Sequence, residues 1–208
     1  MRRLFLMTVV AGLMIGGAAG PALAATHHHG RSSNTYVFAV WRSRTSLGKG
    51  QFELTSSFVN VFQYEGRISA QVGRDVVKCK RVNGRTRCRS VSFSVGFARN
   101  LSASQVSVDR KKLQSAHLDA AFKVRTFVRG KRPTTSTVTV VADWTGTGKI
   151  IRSGGISTYR SGCLHFHDVF HGRSRAATAT GSFNKVALGT ATRALLATNT
   201  DSFTEHRC

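Results

Sequence analysis

The chain reads as an all-β, disulfide-bonded fold, an antiparallel β-sandwich or barrel of about eight to ten strands. Three observations predict it. Apolar residues recur with a period of two along most of the sequence, Gly and Ser/Thr turns separate the short apolar segments, and four cysteines follow an export leader. With 208 residues and 41% hydrophobic side chains, a single core of ordinary size is within reach. The composition, with Gly 20 and Pro 2, excludes a collagen-like or Pro-rich polymer.

Residues 1–24 form the leader. Arg2 and Arg3 precede an apolar run over 4–15, and Ala22-Leu23-Ala24 is an A-x-A cleavage site. The run is shorter than the roughly 18–20 residues that span a bilayer. The Arg pair also suits twin-arginine export, so both that route and the general one stay open. Losing Arg2 and Arg3 takes Lys+Arg from 31 to 29 against 9 acidic residues, a net charge of +20. No later run has spanning length, so the expected product is a secreted protein without a transmembrane segment. Residues 25–34 read as a flexible N-terminal arm, and 35–208 as a single all-β domain.

Strand candidates follow in order at residues 35–41 and Gln51–Tyr64. The next piece is a hairpin over 68–99, turned at Asn83-Gly84, a pair suited to a two-residue type I′ turn because both positions need positive φ. That turn sets Cys79 opposite Cys88 in a non-hydrogen-bonded pair, with Cα atoms roughly 4.5 Å apart. The spacing lies inside the roughly 4.4–6.8 Å that a disulfide accepts. Continued inward, the register pairs Val76 with Val91, Val72 with Val95 and Ala70 with Phe97. It also sets Arg74 against Phe93, a mismatch that a bulge or an Arg–ring contact would relieve. A helical turn is expected near 109–116. Over 117–128 the even positions Leu118, Ala120, Phe122 and Val124 are apolar and the odd ones largely polar. Residues 135–144 repeat the pattern after the turn Arg129-Gly130-Lys131-Arg132-Pro133, which predicts a second hairpin. Strands at 163–171, 176–183 and 190–198 complete the set. By exclusion Cys163 joins Cys208, which would hold the chain end. The cysteine spacings contain no C-x₂₋₄-C pair, which argues against zinc ligation by thiolates.

The 78–89 segment carries Lys78, Lys80, Arg81, Arg85, Arg87 and Arg89 on the disulfide-clamped tip. Lys78 faces Arg89 and Lys80 faces Arg87, so like charges oppose one another across the hairpin. A clamp across a self-repelling tip suits a preorganised anion-binding finger, and the Arg forks suit phosphate or carboxylate. The competing reading is a solubilising surface on a basic protein. The partners expected are anionic polymers or cell-envelope surfaces, including acidic glycans, bound in a salt-sensitive way. Nucleic acid suits an exported protein less well, and the aromatics follow strand alternation without marking a stacking platform.

The runner-up site is a histidine cluster. On a strand His165, His167 and His171 share one face, and two histidines at i, i+2 can bind one zinc or copper ion for metal capture or metal-dependent hydrolysis. The bland reading is three solvent-facing side chains. A chain cut after Ala24 would begin Ala25-Thr26-His27, able to wrap Cu(II) through its amine, amides and the His27 ring. Otherwise no cofactor is implied. No H-E-x-x-H, G-x-S-x-G or P-loop pattern occurs, so the reading is a non-catalytic binding domain.

Overall fold

The computed structural model describes residues 26–207. The leader and Cys208 therefore lie outside the described residues. Eleven strands follow in order: β1 (Thr26–Gly48), β2 (Gln51–Tyr64), β3 (Arg67–Val82), β4 (Arg85–Arg99), β5 (Val106–Val108), β6 (Ser115–Val128), β7 (Thr134–Gly146), β8 (Ile151–Ser161), β9 (Leu164–Phe183), β10 (Val186–Thr190) and β11 (Arg193–Arg207). All pairings are antiparallel, and eight strands close a ring: β1, β2, β3, β4, β6, β7, β9, β11 and back to β1. Of the two architectures open to the sequence, this is the barrel. β5, β8 and β10 attach to its outside edges through β6 and β9. None of the described residues forms a helix long and apolar enough to cross a membrane.

The alternation along β6 and β7 survives intact: Leu118, Ala120, Phe122, Val124, Val140, Ala142 and Trp144 are all buried. They meet Val37, Ala39 and Trp41 of β1, Val59 and Val61 of β2, Ala70 and Val72 of β3, and Leu196 of β11 inside the ring. Two indole N–H groups enter this interior and each finds an acceptor. Trp144 Nε1 donates to Phe38 O at 3.0 Å across the barrel, and Trp41 Nε1 donates to Gly189 O at 3.1 Å.

The turn, the disulfide and the register of the hairpin tip match expectation, while the bridged Cα atoms lie closer than the expected spacing. Asn83 and Gly84 have φ of 50° and 74°, Cys79 and Cys88 are bonded with Cα atoms 4.0 Å apart, and Lys78 and Lys80 face Arg89 and Arg87. Nearer the barrel the expected register fails, because β4 carries an extra residue, Val91, between the pairs Val77↔Ser90 and Val76↔Ser92. Arg74 therefore faces Ser94, Val72 faces Gly96 and Ala70 faces Ala98. The reason is space. A Cβ on Gly96 would sit 2.8 Å from Val124 Cγ2 and 3.2 Å from Phe122 Cβ, so the interior has no room for Val95 or Phe97 there. The bulge turns Phe93 and Phe97 outward instead.

Three further expectations change. Residues 26–34, expected as a flexible arm, form the first part of β1 and pair with 199–207. The two strands expected at 163–171 and 176–183 are one continuous β9. The helical turn expected near 109–116 is shorter, one turn closed by Leu113 N donating to Asp109 O at 2.9 Å before β6 begins at Ser115: the Asp109 carboxylate accepts from the amides of Lys111, Lys112 and Gln114, while Leu113, at φ 50°, is fully buried. These bonds hold the Asp109 carboxyl below its ordinary pKa, the Lys112 amide contributing most.

Several strands outrun the barrel at opposite ends of β1. At one end the tail of β1 continues with the start of β2, the tail of β3 and the start of β4. At the other, the start of β1 continues with the tail of β11, the start of β9 and β8. The two candidate sites sit on these two extensions, far apart.

Candidate anion-binding site

The first extension carries the finger. β2 pairs alongside β3 as far as Gln51↔Lys80, and Arg81 N donates to Gly50 O at 3.0 Å. Only the tip beyond Lys80 overhangs, so neighbouring strands brace the finger as well as its disulfide. Along β3, Lys78 and Lys80 continue the face that carries Ala70 and Val72 inside the barrel. Together with Arg85, Arg87 and Arg89 they make a five-cation face just past the rim. Arg81 points the other way, to the disulfide side. All six are exposed, and among the described residues none forms an ion pair, although Glu53 of β2 is the register partner of Lys78.

On the disulfide side Cys79 is buried beneath β2, where Phe52 is its register partner and Arg44 lies 3.9 Å above the Phe52 ring. A cleft of about 330 Å³ opens there between the hairpin tips, with Arg44, Lys49 and Arg81 in its wall and no acid. At the opposite edge lies a wider cleft of about 470 Å³, lined by Arg89, Phe93, Phe127 and Arg129. This second cleft is where the two basic segments of the sequence meet. Arg129 N donates to Val91 O at 3.3 Å, which docks the β6–β7 turn, with Lys131 and Arg132, on the bulge at the finger's base.

The structure also supplies what the sequence missed. Phe93 and Phe127 are register partners, and with Phe97 they are 39–48% exposed on the outer wall. Arg125 stands 5.0 Å over Phe127 and Arg99 stands 5.3 Å over Phe97. Rings and guanidinium groups thus interleave on the outer wall, on the face of β4 opposite the one that carries Arg85, Arg87 and Arg89. Strand alternation alone hid this, because the bulge decides which face the Phe side chains take.

At the far extension, His165, His167 and His171 lie exposed on one face of β9. His171 is six residues from His165, roughly 20 Å along an extended strand, too far to share one ion with it. The structure instead brings His206 of β11 opposite His165, while His27 is the register partner of His206. Among the described residues no three His, Cys, Asp or Glu side chains converge as a metal set. Cys163 is disulfide-bonded; Cys208, its partner by exclusion, lies outside the described residues. A further pair unseen in sequence is His117 Nδ1 with Asp143 Oδ1, 2.6 Å apart on the outer barrel wall, with Ser107 next in register. Its side chains are 41% and 60% exposed, where solvent screens the charge that a catalytic relay would need to concentrate. Comparison with protein-family models, curated proteins and solved structures finds no match to this chain.

Proposed function

We propose that the protein is an exported, non-catalytic β-domain that binds acidic polymers of the cell envelope, acidic glycans above all, through the finger and the turn docked on its base. One observation supports this reading: the Arg129–Val91 hydrogen bond brings two cationic segments, distant in sequence, to one edge cleft that has Arg89 and Arg129 in its wall and no acid. Surface cations that merely solubilise have no need to be gathered or braced. The exposed Phe93, Phe97 and Phe127 favour a polymer whose repeating unit presents a ring face as well as an anionic group. A bare polyphosphate would leave those rings unused.

The test is binding to a sulfated or uronate polysaccharide, followed as salt is raised. Affinity should fall steeply with salt as condensed counterions are retained. Arg85, Arg87 and Arg89 changed together to Ser should cost about tenfold or more, since charge-assisted contacts contribute roughly 1 kcal/mol or more each. A control triple of equal charge (Arg152, Lys185 and Arg193 to Ser) should cost about two- to threefold through net charge alone. Equal losses for the two triples would reduce the finger to ordinary surface.

A further inference from the structure

The barrel mouth at the foot of the finger carries an inference independent of polymer binding. There Val72, Val124, Val138 and Phe183 line a cleft of about 270 Å³, with Arg74, Ser94 and Thr126 on its polar side. We propose that this mouth binds an amphiphilic monocarboxylate, an alkyl chain of about six to ten carbons whose acid group meets Arg74 and Ser57. Arg74 follows the buried Ala70 and Val72 on the inward face of β3, an odd place for a cation. It is exposed and forms no ion pair among the described residues. No acid lines the cleft, and on that face of β2 Glu53 lies four residues beyond Ser57, opposite Lys78. Ser57, the register partner of Arg74, is 1% exposed, and its Oγ has no hydrogen-bond partner among the described residues. A buried hydroxyl in that state is costly and uncommon. The other rim hydroxyls are satisfied, Ser94 Oγ and Thr126 Oγ1 bonding each other at 2.9 Å. The mouth thus sets an unused O–H beside a cation without a counter-ion.

Volume and charge together select the ligand. An apolar cavity of about 150 Å³ takes one benzene ring, so this larger, open cleft suits a short chain and excludes a long one. Its floor is preformed, because Val72, Val124 and Phe183 are packed in the core. One lip is fixed as well: Asn184 N donates to Thr139 O at 2.8 Å, and Asn184 Oδ1 accepts from Thr139 N at 2.9 Å. Val186 lines the cleft on that lip, is 63% exposed, and gains cover when a chain binds. Each methylene removed from water there strengthens binding about fourfold. An uncharged chain leaves Arg74 and the Ser57 hydroxyl without an acceptor. A carboxylate gives the guanidinium two parallel bonds and has lone pairs left to accept from Ser57 Oγ. A bare anion such as acetate gains those bonds and forfeits the floor.

Octanoate titrated into the full chain below its micelle concentration, followed by calorimetry or amide NMR shifts, tests the site. One molecule should bind with a dissociation constant of about 10 μM to 1 mM. Octan-1-ol and acetate should each bind about tenfold more weakly or worse. From butanoate to octanoate the affinity should climb about fourfold per methylene, and it should level off before dodecanoate. Arg74→Gln should cost about tenfold or more, and Ser57→Ala about threefold or more. Without ligand, Ser57→Ala should melt about 2 °C higher, because an unpaired polar atom leaves the interior. Changing Arg85, Arg87 and Arg89 together to Ser should cost octanoate less than about threefold, so the mouth and the finger fail separately. Circular dichroism checks folding; if Arg74→Gln does not fold, Arg74→Lys replaces it, with a criterion of about threefold. The assignment is overturned by a constant weaker than about 1 mM in the unaltered chain, or by octan-1-ol binding as well as octanoate. It is equally overturned by affinity that keeps climbing to dodecanoate, by a loss below these criteria in either single variant, or by a ligand-free Ser57→Ala that melts no higher.

Discussion

Phe122 and Gly96 show how one residue's size sets another's face. Phe122 is 1% exposed and takes the space that a side chain at 96 would need, so β4 turns its small residues inward and its phenylalanines outward. The sequence announced Phe122 as core through alternation, but the constraint on position 96 depends on a contact between strands and is invisible locally. Asp109 makes a different residue-scale point. Its carboxylate caps the loop that buries Leu113, and the charged form is the one those amides favour. Its lowered pKa means the contribution is full above the ordinary carboxylate range, near pH 4, and is lost as pH falls through the depressed value. Amide NMR signals of Lys111, Lys112 and Gln114 should titrate together in that acidic window. Asp109→Asn should remove the shared titration; three independent titrations in the unaltered chain would contradict the cap.

At the scale of elements, the hairpins were legible where the turn chemistry was explicit. Asn83-Gly84 gave the tip register and the disulfide, and Gln51–Tyr64 is a strand with the bounds its pattern predicts. The bulge was not legible, although the Arg74–Phe93 clash that it relieves was visible in the sequence. β8 escaped notice because Gly154-Gly155 and its serines lack the apolar alternation that marks a strand; it is an edge element held by β9 alone. Of the candidate site, the cations were readable and the aromatic wall beside them was not. Val91 therefore has a specific job: it lets the tip and the barrel each keep their own register. Deleting Val91 forces a choice between the Cys79–Cys88 pair and the inward set Gly96 and Ala98. Urea unfolding of the deletion variant should show a loss of about 2 kcal/mol or more, roughly what a ten-residue disulfide loop contributes. Part of that loss should vanish once both proteins are reduced. A deletion that leaves stability unchanged in the oxidised state would show that the bulge is dispensable.

For the whole molecule, the ring joins its first strand to its last, with residues 26–40 against 193–207. No local pattern could announce that pairing, which is why the sequence left sandwich and barrel open. Closure removes two long exposed edges at once, and the remaining edge strands are short or carry Arg, as β8 does with Arg152 and Arg160. It also makes β11 indispensable. A chain ending at residue 192 should expose the edges of β1 and β9 and lose Leu196 from the interior, so its thermal unfolding should no longer be cooperative. A sharp transition in that truncated chain would mean that seven strands suffice.

The joining of β1 to β11 has a bearing on time as well as on stability. A polypeptide released from its amino end pairs its earliest strand with β2 at once but leaves that strand's other edge open until the fifteen residues of β11, Arg193–Arg207, have emerged. Throughout synthesis or passage across a membrane, that half-built wall is a sticky, unfinished surface, vulnerable to its neighbours until the tail arrives.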